Sequence, residues 1–171
     1  MPALPSVDLP PEPDFRLLRV AQKKEVAQGV FWFELRDPEG AELPAFAAGA
    51  HVTVQVPAGQ RRSYSLCGDP SLLDRYEIAV KRDAQGRGGS ISMTDDVQAG
   101  DLVAVSLPAN HFALSTKGSQ FIFVAGGIGI TPLLAMARHL ATSGQGRFRL
   151  YYCTRDVATT AFAAELQDLS H

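Results

Sequence analysis

The sequence predicts an antiparallel β-barrel of six strands followed by an incomplete parallel α/β unit. Three observations carry that expectation. Six short segments of strand character recur between turn signals from Phe15 to Leu107. The pattern then changes after Asn110, where Ser115-Thr116-Lys117-Gly118-Ser119 has the composition of a linker. Beyond it, a nearly continuous apolar strand leads through a glycine turn into a helix. A chain of 171 residues with 46% hydrophobic content can bury a real core, as one large domain or two small ones.

In chain order, residues 1–14 read as an extended or disordered arm, because Pro2, Pro5, Pro10, Pro11 and Pro13 each remove a donor and fix φ. The barrel is expected over 15–114. Its strands are placed at Phe15 to Val20, Val30 to Leu35, His51 to Val56, Ser63 to Cys67, Tyr76 to Val80 and Leu102 to Leu107. His51 to Val56 alternates with the period of a half-buried strand, and Asp37-Pro38-Glu39-Gly40 marks a turn before it. One short helix is expected from near Ser90 to before Gly100. The second part spans 115–171. Phe121 to Ala125 reads as a parallel strand buried on both faces. Thr131 to Leu140 reads as a helix with Pro132 in its first turn, closed by Gly144 and Gly146. Arg147 to Tyr152 is the next strand, and Ala158 to Leu169 has the composition of a second helix. About fifty residues with two strands bury little surface. The chain is therefore expected to be a truncated or interrupted product, or the visible part of something longer.

Composition narrows the function. The formal charge of −2, with acidic and basic residues interspersed, provides no basic field for nucleic acid or an anionic membrane. Cys67 and Cys153 are the two cysteines, too few for a disulfide framework or a four-cysteine iron–sulfur site. The four histidines lack ligand spacing, so no metal site is expected. The N-terminus carries prolines and acids where a signal peptide needs an apolar core, and no run reaches membrane-spanning length. The expected compartment is the cytoplasm.

Three phrases carry chemistry. On a strand, Arg62-Ser63-Tyr64-Ser65 puts Arg62 and Tyr64 on one face and both serines on the other. A cation then stands beside an aromatic while backbone atoms remain free to meet a ring; a surface arginine beside a core tyrosine is the plain alternative. In Gly86-Arg87-Gly88-Gly89-Ser90, the glycines allow positive φ and close backbone approach, with Ser90 at a helix N-cap. That is a phosphate-sized nest, or else an ordinary glycine hairpin. Gly126, Gly127 and Gly129 follow an apolar strand and precede a helix, a context suited to a dinucleotide, although the spacing is not G-x-G-x-x-G. Close strand-to-helix packing explains at least one of these glycines. Together the phrases read as a flavin pocket followed by the start of a nicotinamide-nucleotide site. Cys67 reads as a packed small hydrophobe, and Trp32 as strand packing.

With Leu66, Ala79-Val80-Lys81-Arg82, Val124 to Pro132 and Tyr151-Tyr152 added, the series resembles the reductase component of Rieske-type oxygenases, of the phthalate dioxygenase and vanillate O-demethylase type, within the ferredoxin reductase-like family. The resemblance spans about Phe15 to Leu169. It implies a flavin-binding β-barrel that holds FMN in preference to FAD, an NADH-binding α/β domain and a [2Fe–2S] ferredoxin domain. The chain itself offers no ligands for that cluster. By the same resemblance, Arg62, Ser63, Tyr64 and Ser65 would contact the isoalloxazine and ribityl parts. Ala79, Val80 and Lys81 would run beside the ring or its tail, and Gly88, Gly89 and Ser90 would hold the phosphate. Gly127, Thr131 and Arg155 would line the nicotinamide path. Cys153 resembles a position where some FAD-binding relatives keep a cysteine near the nicotinamide.

The implied reaction passes a hydride from NADH to the flavin and then single electrons to the cluster, on behalf of an oxygenase component or ferredoxin domain. Ser65, or the backbone near Ser63, would tune flavin N5 through a hydrogen bond. Lys81 would favour reduced, anionic flavin. The chain lacks the later strands, the terminal aromatic and the cluster cysteines of such reductases. Two alternatives therefore stand beside this reading: a flavin-binding module without efficient turnover, and a free flavin reductase that releases reduced flavin to a partner.

Overall fold

Alternating apolar residues roll a six-stranded antiparallel sheet around one core. The computed structural model describes residues 14–169; the predicted proline-rich arm lies, but for Asp14, outside the described residues. The strands are β1 (Phe15–Ala27), β2 (Val30–Arg36), β3 (His51–Gln55), β4 (Arg61–Ser65), β5 (Tyr76–Lys81) and β6 (Leu102–Ser106), hydrogen-bonded in the order β4-β3-β6-β1-β2-β5. A bridge between Leu66 and Ile78 brings the two ends of the sheet together, and Cys67 N–H donates to Glu77 O at 2.9 Å beside it. Leu18, Val20, Phe33, Val52, Val54, Leu66, Ile78 and Val105 fill the interior with no exposed surface.

β1 runs well past its expected end at Val20. Register shifts between Val20 and Gln22 and between Glu25 and Ala27 bend it, so that one strand pairs with β6 in its first part and with β2 to its end. The polar run Gln22-Lys23-Lys24-Glu25 hides this extension from a reading by hydrophobic pattern. The expected helix after Ser90 is also different. It consists of the short α1 (Gly89–Ile91) and a π-helical turn over Ser92–Asp96. The N-cap is Gly88, at φ 85°, and not Ser90. The hydroxyl of Ser90 is spent instead on Asp83, whose N–H donates to it at 3.1 Å. Lys23 closes the far end: its Nζ donates to Thr94 O at 2.6 Å and Val97 O at 2.8 Å, above the rings of Phe31 and Phe33.

The second part pairs β7 (Gln120–Gly126) in parallel with β8 (Arg147–Cys153). A 3₁₀ turn over Gly127–Gly129 leads into α2 (Ile130–Ser143), which ends at Gly144 in the left-handed region. β7 is buried on one face only. Phe123 and Ala125 face the core, whereas Ile122 is 74% exposed and Val124 68% exposed, which corrects the expectation of burial on both faces. α3 (Ala163–Asp168) starts later than expected. Asp156 folds the preceding residues into a turn, accepting at Oδ1 from Thr159 N–H (2.9 Å) and at its carbonyl from Thr160 Oγ1 (2.7 Å).

A second core joins the two parts. Val30, Ala48, Cys67 and Ala79 of the barrel pack in one cluster with Phe123, Ala125, Ile130, Leu133 and Leu134. Cys67 is a packed small hydrophobe in that cluster, its thiol pushed up by burial and by the neighbouring Glu77. Trp32 packs against the same cluster.

Candidate functional site

The register of β4 on β3 sets the first wall. Arg62 pairs with Val54 and Tyr64 with Val52, so both side chains take the face of those core valines. Ser63 pairs with Thr53 on the other face, and the two hydroxyls lie 3.2 Å apart. Tyr64 packs on the barrel core, and its hydroxyl is buried with no partner among the described residues. Burial pushes the Tyr64 phenol up to about 12, against a smaller opposing effect of the Arg62 charge. A buried hydroxyl left unpaired is uncommon and marks a place where a bound group can complete the structure.

The loop after β5 supplies the second wall. Arg82 holds Asp95 through three bonds, Nε donating to Oδ1 at 2.9 Å and to Oδ2 at 3.2 Å, and Nη2 to Oδ2 at 2.7 Å. Hydrogen bonds from Arg82 and then Thr94 draw the Asp95 carboxyl down to about 2. This pair and the Asp83–Ser90 bond pin both ends of the loop. Between them the N–H groups of Gly89 and Ser90 have no partner among the described residues, as expected at a helix start. Arg62 lies directly against Gly89, where any Cβ would collide with its Nε. Gln60 steadies the arginine, accepting from Nη2 while its own Nε2 donates to Arg87 O at 2.9 Å.

A cleft of about 480 Å³ opens between these walls. It is lined by Arg62, Ser63, Tyr64, Ser65, Ala79, Val80 and Lys81, by Asp83, Gly86, Arg87, Gly89 and Ser90, and by Ile128, Gly129, Thr131 and Pro132. Gly88 is not on the lining; its contribution is the left-handed turn. Thr131 belongs to this cleft and not to the neighbouring one, and its hydroxyl donates to Ile128 O at 3.1 Å.

A second cleft, of about 680 Å³, adjoins the first. Gly127 and Arg155 line it, together with Gln28, Val30, Tyr152, Cys153, Thr154 and Asp156. Lys81 and Ile128 line both clefts. A Cβ at Gly126, Gly127 or Gly129 would meet nothing within 4 Å, so none of the three glycines serves close strand-to-helix packing. Gly127 is required by its φ of 50°, and the other two border open space. The contribution of Gln28 and Val30 was not legible in the sequence, because they reach the cleft only when Gln28 N–H donates to Ala158 O at 2.8 Å and docks the later loop on the barrel.

These residues fit a flavin. Unspent N–H groups beside Arg62 and Arg87 suit a phosphate, Ala79 and Val80 offer an apolar surface, and Tyr64 retains a free hydroxyl. Among the described residues, no group of three or more His, Cys, Asp or Glu side chains is placed to hold a metal ion, and no helix is long and apolar enough to cross a membrane.

A closed antiparallel barrel whose phosphate-type nest adjoins the glycine turn of a parallel unit defines a ferredoxin reductase-like protein. The Oxidoreductase FAD-binding domain model matches residues 17–114, and the Oxidoreductase NAD-binding domain model matches 123–171. The chain belongs to the FAD-binding oxidoreductase domain family. It is 59% identical over 152 residues to the phthalate 4,5-dioxygenase oxygenase reductase subunit of Pseudomonas putida, covering 89% of this chain and 47% of that protein. It is 40% identical over 148 residues to the vanillate O-demethylase oxidoreductase of Pseudomonas putida, covering 86% of this chain and 46% of that one. A solved phthalate dioxygenase reductase, described as a modular structure for electron transfer from pyridine nucleotides to [2Fe–2S], superposes with a TM-score of 0.88 at 57% identity, over 90% of this chain and 48% of that one. The chain thus spans about half the length of the curated relatives it matches. The two domain matches support flavin binding by the first part and NAD(H) binding by the second.

Proposed function

We propose that this chain is the flavin and nucleotide portion of an NADH-dependent reductase that serves an aromatic-ring oxygenase or demethylase from the cytoplasm. Its flavin part is assigned to 15–114 and its nucleotide part to 115–171. FMN is the proposed flavin, and a [2Fe–2S] centre outside this chain is the proposed acceptor. The observation that carries the reading is the meeting of two clefts at Lys81 and Ile128. A ligand in each would approach the other across those two side chains.

Bound in the first cleft, a flavin supplies the ability to accept a hydride and to release electrons singly. The chain's task is to hold and tune it. Arg62 and the free N–H groups of Gly89 and Ser90 are assigned to the phosphate, with Gly88 giving the turn its shape. The cradle suits the phosphate of either flavin, and the proposal of FMN over FAD rests on the resemblance to the phthalate dioxygenase reductase type. Tyr64, Ala79 and Val80 are assigned to the ring and ribityl surfaces. Ser65 Oγ has no hydrogen-bond partner among the described residues and is assigned to the polar edge of the ring near N5. Ser63, whose hydroxyl lies against Thr53, would act there through its backbone. Lys81 provides a cation between the clefts that favours added negative charge on the ring. Gly127 and Arg155 are assigned to the nucleotide. Thr131, with its hydroxyl spent on Ile128, shapes the floor of the flavin cleft.

Release and identification of the flavin from the purified chain, followed by anaerobic titration with NADH, tests the proposal. Near-stoichiometric FMN bleached by NADH is the expected result. Bound flavin that NADH does not bleach would make the chain a flavin-binding module, and loosely exchanging flavin would make it a free flavin reductase. No retention of either flavin after reconstitution would overturn the assignment of the first cleft.

A further inference from the structure

One polar cluster sits inside the apolar seam between the two parts. Arg138, on α2, donates from Nη1 to Cys67 O at 2.8 Å and to Glu77 Oε2 at 3.0 Å. Trp32 Nε1 donates to the same carboxylate oxygen at 3.3 Å. The arginine and glutamate side chains are 20% and 12% exposed. Glu77 has little freedom to move away, because Gly68 presses against its side chain closely enough that a Cβ there would sit 3.3 Å from three of its carbons.

The elements joined here are those that build the clefts. Cys67 follows β4, which carries Arg62 to Ser65, and Glu77 lies on β5, which carries Ala79 to Lys81. Thr131 and Pro132 in the first turn of α2 wall the first cleft with Ile128 and Gly129 of the preceding turn, whose Gly127 lines the second. Apolar packing alone leaves a helix some freedom to slide or roll, since a methyl group fits many neighbours. A guanidinium with two fixed acceptors does not, because its planar donors match only one arrangement.

We infer that Arg138 is a positioning residue: its bonds to Glu77 and Cys67 fix α2 on the barrel in the one orientation that brings the two clefts together at Lys81 and Ile128. The inference rests on the proposed hydride transfer between those clefts for its effect on rate, but not for its geometry. Hydride transfer depends steeply on the placement of donor and acceptor, whereas each ligand is held mainly by its own half.

The test compares the full-length wild-type chain with Arg138→Met and Glu77→Gln, and with Arg149→Met on an exposed position of β8 as a control. Trp32 is the chain's single tryptophan and Cys153 its exposed cysteine, while Cys67 is buried. A dye on Cys153 therefore reads the distance from barrel to α/β unit by energy transfer from Trp32, using donor lifetimes with and without the dye. In Arg138→Met the transfer efficiency is expected to change or broaden. On unlabelled protein the single-turnover reduction of bound flavin by NADH is expected to slow about 10²-fold, with flavin retention and NAD⁺ affinity unchanged. Glu77→Gln should move both readouts in the same direction, which keeps the test decisive should Arg138→Met fail to fold. Wild-type transfer efficiency in the substituted chains overturns the inference. So does a fall in rate matched by an equal fall in ligand affinity, which marks a general structural role. A wild-type flavin that NADH does not reduce sinks the functional proposal alone, and the energy-transfer comparison then decides the positioning role.

Discussion

Arg62 and Gly89 form a contact in which each residue explains the other. The guanidinium lies where a Cβ of any other residue would stand, and both face the cleft assigned to the flavin phosphate. Removing a charge-assisted contact costs about 1.5–3 kcal/mol, so Arg62→Ala is expected to weaken flavin retention at least about tenfold. Gly89→Ala should act almost as strongly while leaving thermal stability nearly unchanged, since it displaces the far end of a flexible side chain. Arg82→Ala is expected to do less, because Arg82 is committed to Asp95 and lines neither of the two clefts. Equilibrium dialysis of flavin against the three variants checks the order, and equal retention by Arg62→Ala and Arg82→Ala would remove Arg62 from the phosphate site. The tyrosines give a second residue-scale expectation. Burial raises both Tyr64 and Tyr76 to about 12 from an ordinary value near 10. A group whose folded pKa is raised contributes stability in full below its unfolded pKa and loses it as pH climbs through the folded value. The urea midpoint should therefore hold steady approaching pH 10 and decline between pH 10 and 12. Tyr64→Phe should shallow that decline without lowering stability at neutral pH, because the hydroxyl it removes has no partner among the described residues.

At the scale of elements, the helical turn behind the phosphate loop depends on Lys23. The widened π-helical turn leaves Thr94 O and Val97 O without helical donors, and the ammonium of Lys23 answers both from across the barrel. Lys23→Met keeps the apolar stem but removes these bonds, and should lower stability by about 1.5–3 kcal/mol, read as a lower urea midpoint at unchanged slope. An unchanged midpoint would show that water replaces the lysine without loss. The same lysine marks a limit on what the sequence discloses. Within β1, Lys23, Lys24 and Glu25 look like a polar loop, and only the cross-strand partners Phe33, Trp32 and Phe31 make them strand. His51 to Gln55, by contrast, alternates so regularly that its strand and buried face were legible at once. Arg62 and Tyr64 could be placed on one strand face because strand period is a local property, whereas Lys81 entered only through the family resemblance. Gln28 and Arg138 could not be found by either route, since each acts through a partner distant in sequence. Ser90 was visible as a helix-start residue, but the left-handed geometry of Gly88 took the cap and left the serine to Asp83.

For the whole molecule, the question is whether the barrel and the α/β unit fold as one body. Two strands and two helices beside a six-stranded barrel suggest a weak appendage that could melt first. The packing argues otherwise. Fully buried Leu134, with Ile130 and Leu133, lies in a cluster that also holds Val30, Ala48, Cys67 and Ala79 of the barrel. Asn110 ties the connecting segment down, donating from Nδ2 to Ala48 O at 3.2 Å. Separating the two parts would expose that cluster on both sides, and would break the Arg138–Glu77 pair. A single cooperative transition is therefore expected, with hydrogen exchange at the buried β3 residues Val52 and Val54 reporting the barrel and far-UV circular dichroism reporting mainly α2, both sharing one urea midpoint. Leu134→Ala should lower that midpoint by about 2–5 kcal/mol of stability for both probes together, although the substitution lies entirely in α2. If the dichroism midpoint fell while the β3 midpoint stayed, the shared core would not couple the halves. Coincident shifts would mean that the flavin and nucleotide clefts, which meet at Lys81 and Ile128, form and are lost together with the fold of the whole chain.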